Sequence, residues 1–246
     1  MKTSLLILLP ILLCGTSLCA QTANPTPADL PPGPPIQKRA PASSQWLITT
    51  TNVSGTTAME QQGNGASNGP GGQSATEVMV TKTGKIYRVE HLDEAKQLWT
   101  IWAAGATQIM VWQDSHAAAE LAASNNPDSP NPFMTDFSAT DFPGFGWVGW
   151  DKFSEIKTYK GMKCIVFQDQ QPAASDAPSG GTKTVTAYVD VETRLPVALL
   201  DANQANVFEW RPTPKGVLTL PPNALAVLQQ RQKAQQQMSQ QAARPY

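Results

Sequence analysis

Cysteine, histidine and long apolar runs are all scarce in this chain, and each scarcity removes a class of protein. Three cysteines and two histidines occur among 246 residues, too few for a disulfide framework or for a His/Cys metal centre of the usual four-ligand kind. Cys14 and Cys19 fall within the first twenty residues, where Lys2 precedes the almost unbroken apolar run Leu5 to Leu13 and the small residues of Thr16 to Ala20. A cation, a short apolar core and small residues in that order form a secretory leader, with cleavage expected between Ala20 and Gln21. Removal of 1–20 leaves Cys164 without an intramolecular partner, so stability must come from a packed core. The apolar run is shorter than the roughly 20 residues that cross a bilayer, and no later stretch approaches that length. Lipid anchoring through Cys14 or Cys19 is disfavoured, because leucine precedes both where a lipobox has a small residue. The expected location is periplasmic or extracellular, with no transmembrane segment in the mature chain.

Charge is also sparse. The chain carries 18 basic and 19 acidic residues, and loss of Lys2 leaves 17 against 19. Neither sign forms a long block, which argues against nucleic acid as a partner.

Gln21 to Ser44 holds seven prolines and almost no large apolar residue before Ile36; it is expected to be a disordered tether, 21–44. A single domain, 45–222, should follow. It opens with a β-branched strand, Trp46 to Val53, and is interrupted by a disordered Gly/Asn/Gln/Ser-rich insert at 55–76. From Glu77 the pattern is an antiparallel meander: Val78 to Lys82, a Thr83-Gly84 turn, Ile86 to Leu92, Leu98 to Ala103, a turn at Gly105, and Thr107 to Trp112. Asp114 or Ser115 is placed to cap an alanine-rich helix over His116 to Ala123. The irregular stretch Ser124 to Gly146 carries Phe133, Phe137, Phe142 and Phe145, so it is expected to pack over an apolar surface. Strand patterns resume at Trp147 to Tyr159, Met162 to Gln168, Thr184 to Asp190, Leu195 to Asp201 and Asn206 to Trp210. Leu218 to Pro222 leads to a Gln-rich helix at 223–246, expected to fray beyond Gln229. The fold class is mainly β with α elements (α+β).

Few residues are placed for chemistry. Gly65-Ala66-Ser67-Asn68-Gly69 matches G-x-S-x-G literally, but it sits in the Gly-rich insert, without the strand before and helix after that make a nucleophile elbow. His91 and His116, with Asp93, Glu94 or Asp114, lack metal-ligand spacing. Cys164 lies in the apolar strand Lys163-Cys164-Ile165-Val166-Phe167, a setting for a small buried hydrophobe. No catalytic residue, metal site or cofactor is assigned. Seven tryptophans remain distinctive: Trp46, Trp99, Trp102, Trp112, Trp147, Trp150 and Trp210 lie on or beside expected strands. Each has core packing as its plain explanation. Together they exceed what one helix and a short tail would cover, which points to an apolar concavity for a greasy ligand, with Tyr87, Trp99, Trp102 and Trp112 as candidate ligand-binding residues.

Thr186-Ala-Tyr-Val-Asp-Val-Glu-Thr-Arg-Leu-Pro-Val197 resembles the strand–turn–strand motif of the LolA/LolB-like superfamily of bacterial envelope proteins, in which an Asp before a turn and Thr-x-Leu-Pro after it recur. Glu77 to Val89, with its Lys82-Thr83-Gly84-Lys85 turn, is similar to an earlier hairpin of that family, and Tyr159 to Cys164 resembles the strand entry before the motif. The resemblance implies a half-open antiparallel β-barrel or strongly curved sheet with one or two covering helices, holding a lipid, an acyl chain or another hydrophobic ligand, or engaging an envelope partner, without catalysis. A secreted hydrolase using Ser67 or the histidines, and a scaffolding envelope protein working through its two tails, are the rival readings.

Overall fold

The computed structural model describes residues 26–52, 75–92, 99–121, 132–172 and 182–242. The leader, Cys14, Cys19, Ser67 and nearly all of the Gly-rich insert lie outside the described residues.

Eleven strands among these residues form one antiparallel sheet: β1 (Ser43–Asn52), β2 (Ala75–Thr83), β3 (Ile86–His91), β4 (Trp99–Ala104), β5 (Thr107–Trp112), β6 (Ala118–Leu121), β7 (Phe153–Tyr159), β8 (Met162–Pro172), β9 (Thr182–Asp190), β10 (Pro196–Leu200) and β11 (Gln204–Arg211). Their order is β6-β5-β4-β3-β2-β1-β11-β10-β9-β8-β7. The sheet is not closed, since β6 and β7 stand at opposite edges. One α-helix, α1 (Pro222–Ala242), covers part of it.

Two meanders meet at β1, which pairs β2 on one side and β11 on the other, with Trp46 opposite both Val80 and Trp210. The hairpins are set by local chemistry. Gly84 (φ 61°) and Gly105 (φ 63°) supply the left-handed backbone for the β2–β3 and β4–β5 turns. Between β9 and β10, Asp190 Oδ1 accepts from the Glu192 and Thr193 amides at 3.0 and 2.7 Å and from the Thr193 hydroxyl at 2.8 Å. Pro196 then starts β10, where its missing N–H is least costly. The motif of Asp190 to Pro196 is thus architectural.

Period-2 alternation divides the sheet into two faces. The inner face carries Trp46, Ile48, Val78, Val80, Tyr87, Val89, Ile101, Ile165, Phe167, Ala187, Val189 and Phe208 in one buried cluster. On the outer face, Trp102, Ile109 and Val111 pack with Ala224, Val227 and Leu228 of α1. A second outer cluster holds Tyr159, Cys164, Val166, Tyr188 and Ala198.

Three local expectations change. The alanine-rich stretch after Trp112 is not a helix: Ala118–Leu121 is the edge strand β6, paired with β5 from Val111↔Ala118 to Gln108↔Leu121. His116 takes a left-handed backbone (φ 51°) and the Trp112 amide donates to the Ala117 carbonyl at 2.9 Å, so a tight turn delivers these alanines to an open edge, and pairing there overrides their helix propensity. The Pro-rich segment before β1 packs as an arm: Ile36 and Ala40 are buried in the inner-face cluster, and the Gln37 amide donates to the Arg194 carbonyl at 2.8 Å. Finally, α1 continues through its glutamines to Ala242, because Gln, Lys, Ala and Met sustain a helix even where nothing packs on them.

Burial on the outer face has a pH consequence. Burial, then the neighbouring Tyr188, pushes the Tyr159 phenol up to about 12, and burial, then Asp190, pushes the Cys164 thiol up to about 11. In the unfolded chain both ionise earlier, near pH 10 and 8.5. Between those values the folded state holds more protons than the unfolded one, so stability is full below about pH 8.5 and falls as pH rises through 11 to 12. Thermal melts from pH 8 to 11 should show this decline, with a shallower slope in Tyr159→Phe; an equal slope in that variant would contradict the assignment.

Candidate functional site: the covered inner face

Among the described residues, the inner face is roofed by neither a second sheet nor α1. Its cover is the chain itself, in two irregular pieces: the arm from Leu30 to Pro41, and the crossing between β6 and β7, described from Pro132 to Trp150. Phe137, Phe142, Phe145 and Val148 of the crossing belong to the same buried cluster as the strands, as do Ile36 and Ala40 of the arm. Phe137 stacks on Tyr87 with centroids 4.4 Å apart, Phe142 meets Trp46 edge-on at 5.8 Å, and Phe145 meets Phe208 at 5.6 Å. The aromatic loop therefore packs over the sheet, as its four phenylalanines led us to expect. At roughly 1.5–3 kcal/mol for each phenylalanine buried, Phe137, Phe142 and Phe145 together favour the covered arrangement by about 5–9 kcal/mol, before the entropy of ordering the loop is subtracted.

A polar cluster lies within this apolar contact. Asp141 is 2 % exposed. Its Oδ2 accepts from Lys82 Nζ at 2.7 Å and from the Ala40 amide at 2.8 Å, while its Oδ1 accepts from the Tyr87 hydroxyl at 2.8 Å and from Arg39 Nη1 at 3.0 Å. Lys82 Nζ also donates to the Ala40 carbonyl at 2.8 Å, and Arg39 donates to the carbonyls of Phe137 and Ser138. One carboxylate thus ties the arm, β2, β3 and the crossing together. Burial, reinforced by the Asp141 charge, pushes the Tyr87 phenol far up, so it remains a neutral donor.

This cluster escaped the sequence reading. Lys82 ends the expected strand Val78 to Lys82, and it follows Val78 and Val80 at period 2, so it shares their inward face, directly opposite Tyr87. That alternation was the available signal. Asp141 gave none, because its partners are 54 to 102 residues away.

The four candidate residues divide between the two faces. Tyr87, Trp99 and Trp112 share the inner face, with Trp99 and Trp112 opposite each other on β4 and β5. Trp102 does not belong with them: one position out of phase on β4, it packs against the helix side. Tyr87 lies beneath Phe137, whereas Trp99, Trp112, His91 and Phe133 are only partly buried. Phe133 stacks on His91 at 4.2 Å and meets Trp99 edge-on at 5.1 Å. The rings at the β3–β5 end are thus partly buried, as are Trp147, Trp150 and Trp210 elsewhere in the same cluster. Among the described residues, no three His, Cys, Asp or Glu side chains group so as to hold a metal ion, and no helix is long and apolar enough to cross a membrane. A cavity of about 90 Å³ under Gly144, beside the Lys183–Asp201 ion pair, holds a few waters at most.

No family model matches the chain, and no curated protein matches it. Among solved structures it is similar to a LolA superfamily protein from Nitrosomonas europaea, at 9 % identity and a TM-score of 0.33, over 75 % of this chain and 90 % of that one. A DUF1329 family protein from Desulfovibrio piger is similar at 9 % identity and a TM-score of 0.30, over 72 % of this chain and 88 % of that one. The likeness is distant and concerns architecture only.

Proposed function

We propose that this is an exported, non-catalytic envelope protein, periplasmic or extracellular, that binds a lipid or other long acyl chain on the inner face of its sheet. One observation carries the reading. An unclosed sheet presents an apolar face whose only described cover is irregular and aromatic, and Trp99, Trp112, His91 and Phe133 are partly buried at one end of it. Trp99 and Trp112 receive the ligand first, and Tyr87 is reached once Phe137 is displaced.

Magnitudes select the ligand class. Displacing the three buried phenyl rings forfeits about 5–9 kcal/mol, and each methylene buried in their place returns about 0.8 kcal/mol. Breaking even against the rings alone takes about six to eleven methylenes, and the cost of association raises the requirement further, so short acids and compact aromatics do not compete. Native mass spectrometry of the mature protein with a series of saturated fatty acids should show no adduct for octanoate and a stoichiometric one for palmitate. Affinity should strengthen about tenfold for every two methylenes beyond the threshold. A protein that stays empty across the series and across a broad phospholipid panel would remove the reading.

A further inference from the structure

Most of the cover on the inner face is held by non-directional apolar contact, which an acyl chain replaces in kind. The Asp141 cluster differs. Its bonds are directional and charged, no methylene chain can substitute for them, and they join three stretches far apart in the sequence: Arg39 and Ala40, the β2–β3 hairpin with Lys82 and Tyr87, and Asp141. It also lies between Phe137 and Phe142, the two phenylalanines that cover Tyr87 and Trp46. Releasing either ring by more than a local shift requires Asp141 to leave Lys82.

We propose that Asp141 is a latch: it fastens the arm and the 132–150 crossing onto the sheet as the built-in occupant of the inner face, and its release sets how readily an apolar ligand takes their place. The ligand part of this inference rests on the reading given under Proposed function; the latch itself stands on the hydrogen bonds alone. The geometry gives the latch a defined release. The Ala40 amide donates to Asp141 Oδ2, so its protection from solvent exchange reports the closed state directly. Lys82 stays in β2 and Tyr87 in β3 when the latch opens, so the sheet survives the loss of its cover. The Lys82 ammonium lies 5.5 Å from the Tyr87 ring centroid, a cation–π contact that does not involve Asp141.

Hydrogen exchange and binding of a fluorescent long-chain fatty acid, measured on the full mature protein and on Asp141→Asn and Tyr87→Phe, test the idea. Asp141→Asn removes the charge facing Lys82 and should speed exchange at Ala40 and across 137–145 by about a hundredfold or more. Amides of Ile165 to Phe167 and Val185 to Val189 should be unchanged, and the probe should bind more tightly by a comparable factor. Tyr87→Phe removes one hydrogen bond and keeps the ring, so about a tenfold change in the same direction is expected. Exchange at 137–145 that stays at the wild-type rate in folded variants would overturn the latch. So would faster exchange spread evenly over the whole sheet, the mark of a merely structural role. If Asp141→Asn does not fold, Tyr87→Phe decides by the same two criteria. Exchange that rises only in the cover, with no probe bound by any form, upholds the latch and refutes the acyl-ligand reading.

Discussion

Trp46→Ala is expected to lower the unfolding free energy by roughly 3–5 kcal/mol, the range for deleting a large buried aromatic side chain. Trp46 is wholly buried in β1, the strand through which the two meanders are joined. Its ring lies 5.5 Å from Trp210 and 5.8 Å from Phe142, so truncation opens a void bounded by two rigid rings on different segments, and neither can move in without breaking its own contacts. Trp46→Phe should be much milder. The indole N–H is buried and has no hydrogen-bond partner among the described residues, a desolvation cost of about 1–3 kcal/mol that phenylalanine removes while retaining most of the packing. Urea unfolding of both variants tests the pair. A loss under about 1 kcal/mol for the alanine variant would mean that Phe142 is not seated on β1 as described.

Lys82→Met should have an effect of similar size. The substitution keeps an apolar stem out to Cε, with sulfur in place of Cδ, and removes the ammonium, leaving Asp141 buried with one cation of its two, and that cation, Arg39, has a side chain 44 % exposed. Breaking a buried ion pair by removing one partner costs about 3–5 kcal/mol. Tyr87, the Ala40 amide and Arg39 still solvate the carboxylate, which places this case at the lower end. The informative control is Lys82→Met combined with Asp141→Leu: once neither charge is buried the stability should largely recover, since replacing a buried pair by apolar groups is often neutral. Chemical unfolding of the single and double variants gives the coupling energy. Simple additivity would show that the two charges do not depend on each other.

The strands were legible in the sequence where burial is one-sided and turns are short. Val78 to Lys82, Ile86 to Leu92 and Thr107 to Trp112 alternate, and glycines separate them, so β2, β3 and β5 lie close to the expected ranges. The edge strand β6 was not legible, because Ala118 and Ala119 favour a helix locally and only an unoccupied edge of the sheet makes them a strand. The arm looked like a linker because prolines outnumber apolar residues there, yet Ile36 and Ala40 are enough to seat it when a covering surface is near. The phenylalanines of the crossing showed that something is covered. What they could not show is that the covered surface is the face where Tyr87, Trp99 and Trp112 were expected to meet a ligand. Counting along β4 separates Trp102 from Trp99, since positions three apart on a strand face opposite ways, but it does not say which of the two faces the chain covers.

The pairing of β1 with β11 also bears on how the molecule assembles. Within each meander, neighbouring strands are joined in sequence and can zip as hairpins, but β1 reaches its second partner across much of the chain: the Thr50 hydroxyl donates to Asn206 Oδ1 at 2.8 Å, 156 positions further along. Contacts of that separation raise contact order and slow folding, because the loop they close must be gathered before any reward is collected. A chain synthesised from its N-terminus presents β1 first and β11 almost last. One edge of β1, with Leu47 and Ile48 beside it, therefore stays unpaired until Gln204 to Arg211 emerge, and over that interval the inner face has to be guarded against other chains by its own aromatic cover or by a chaperone.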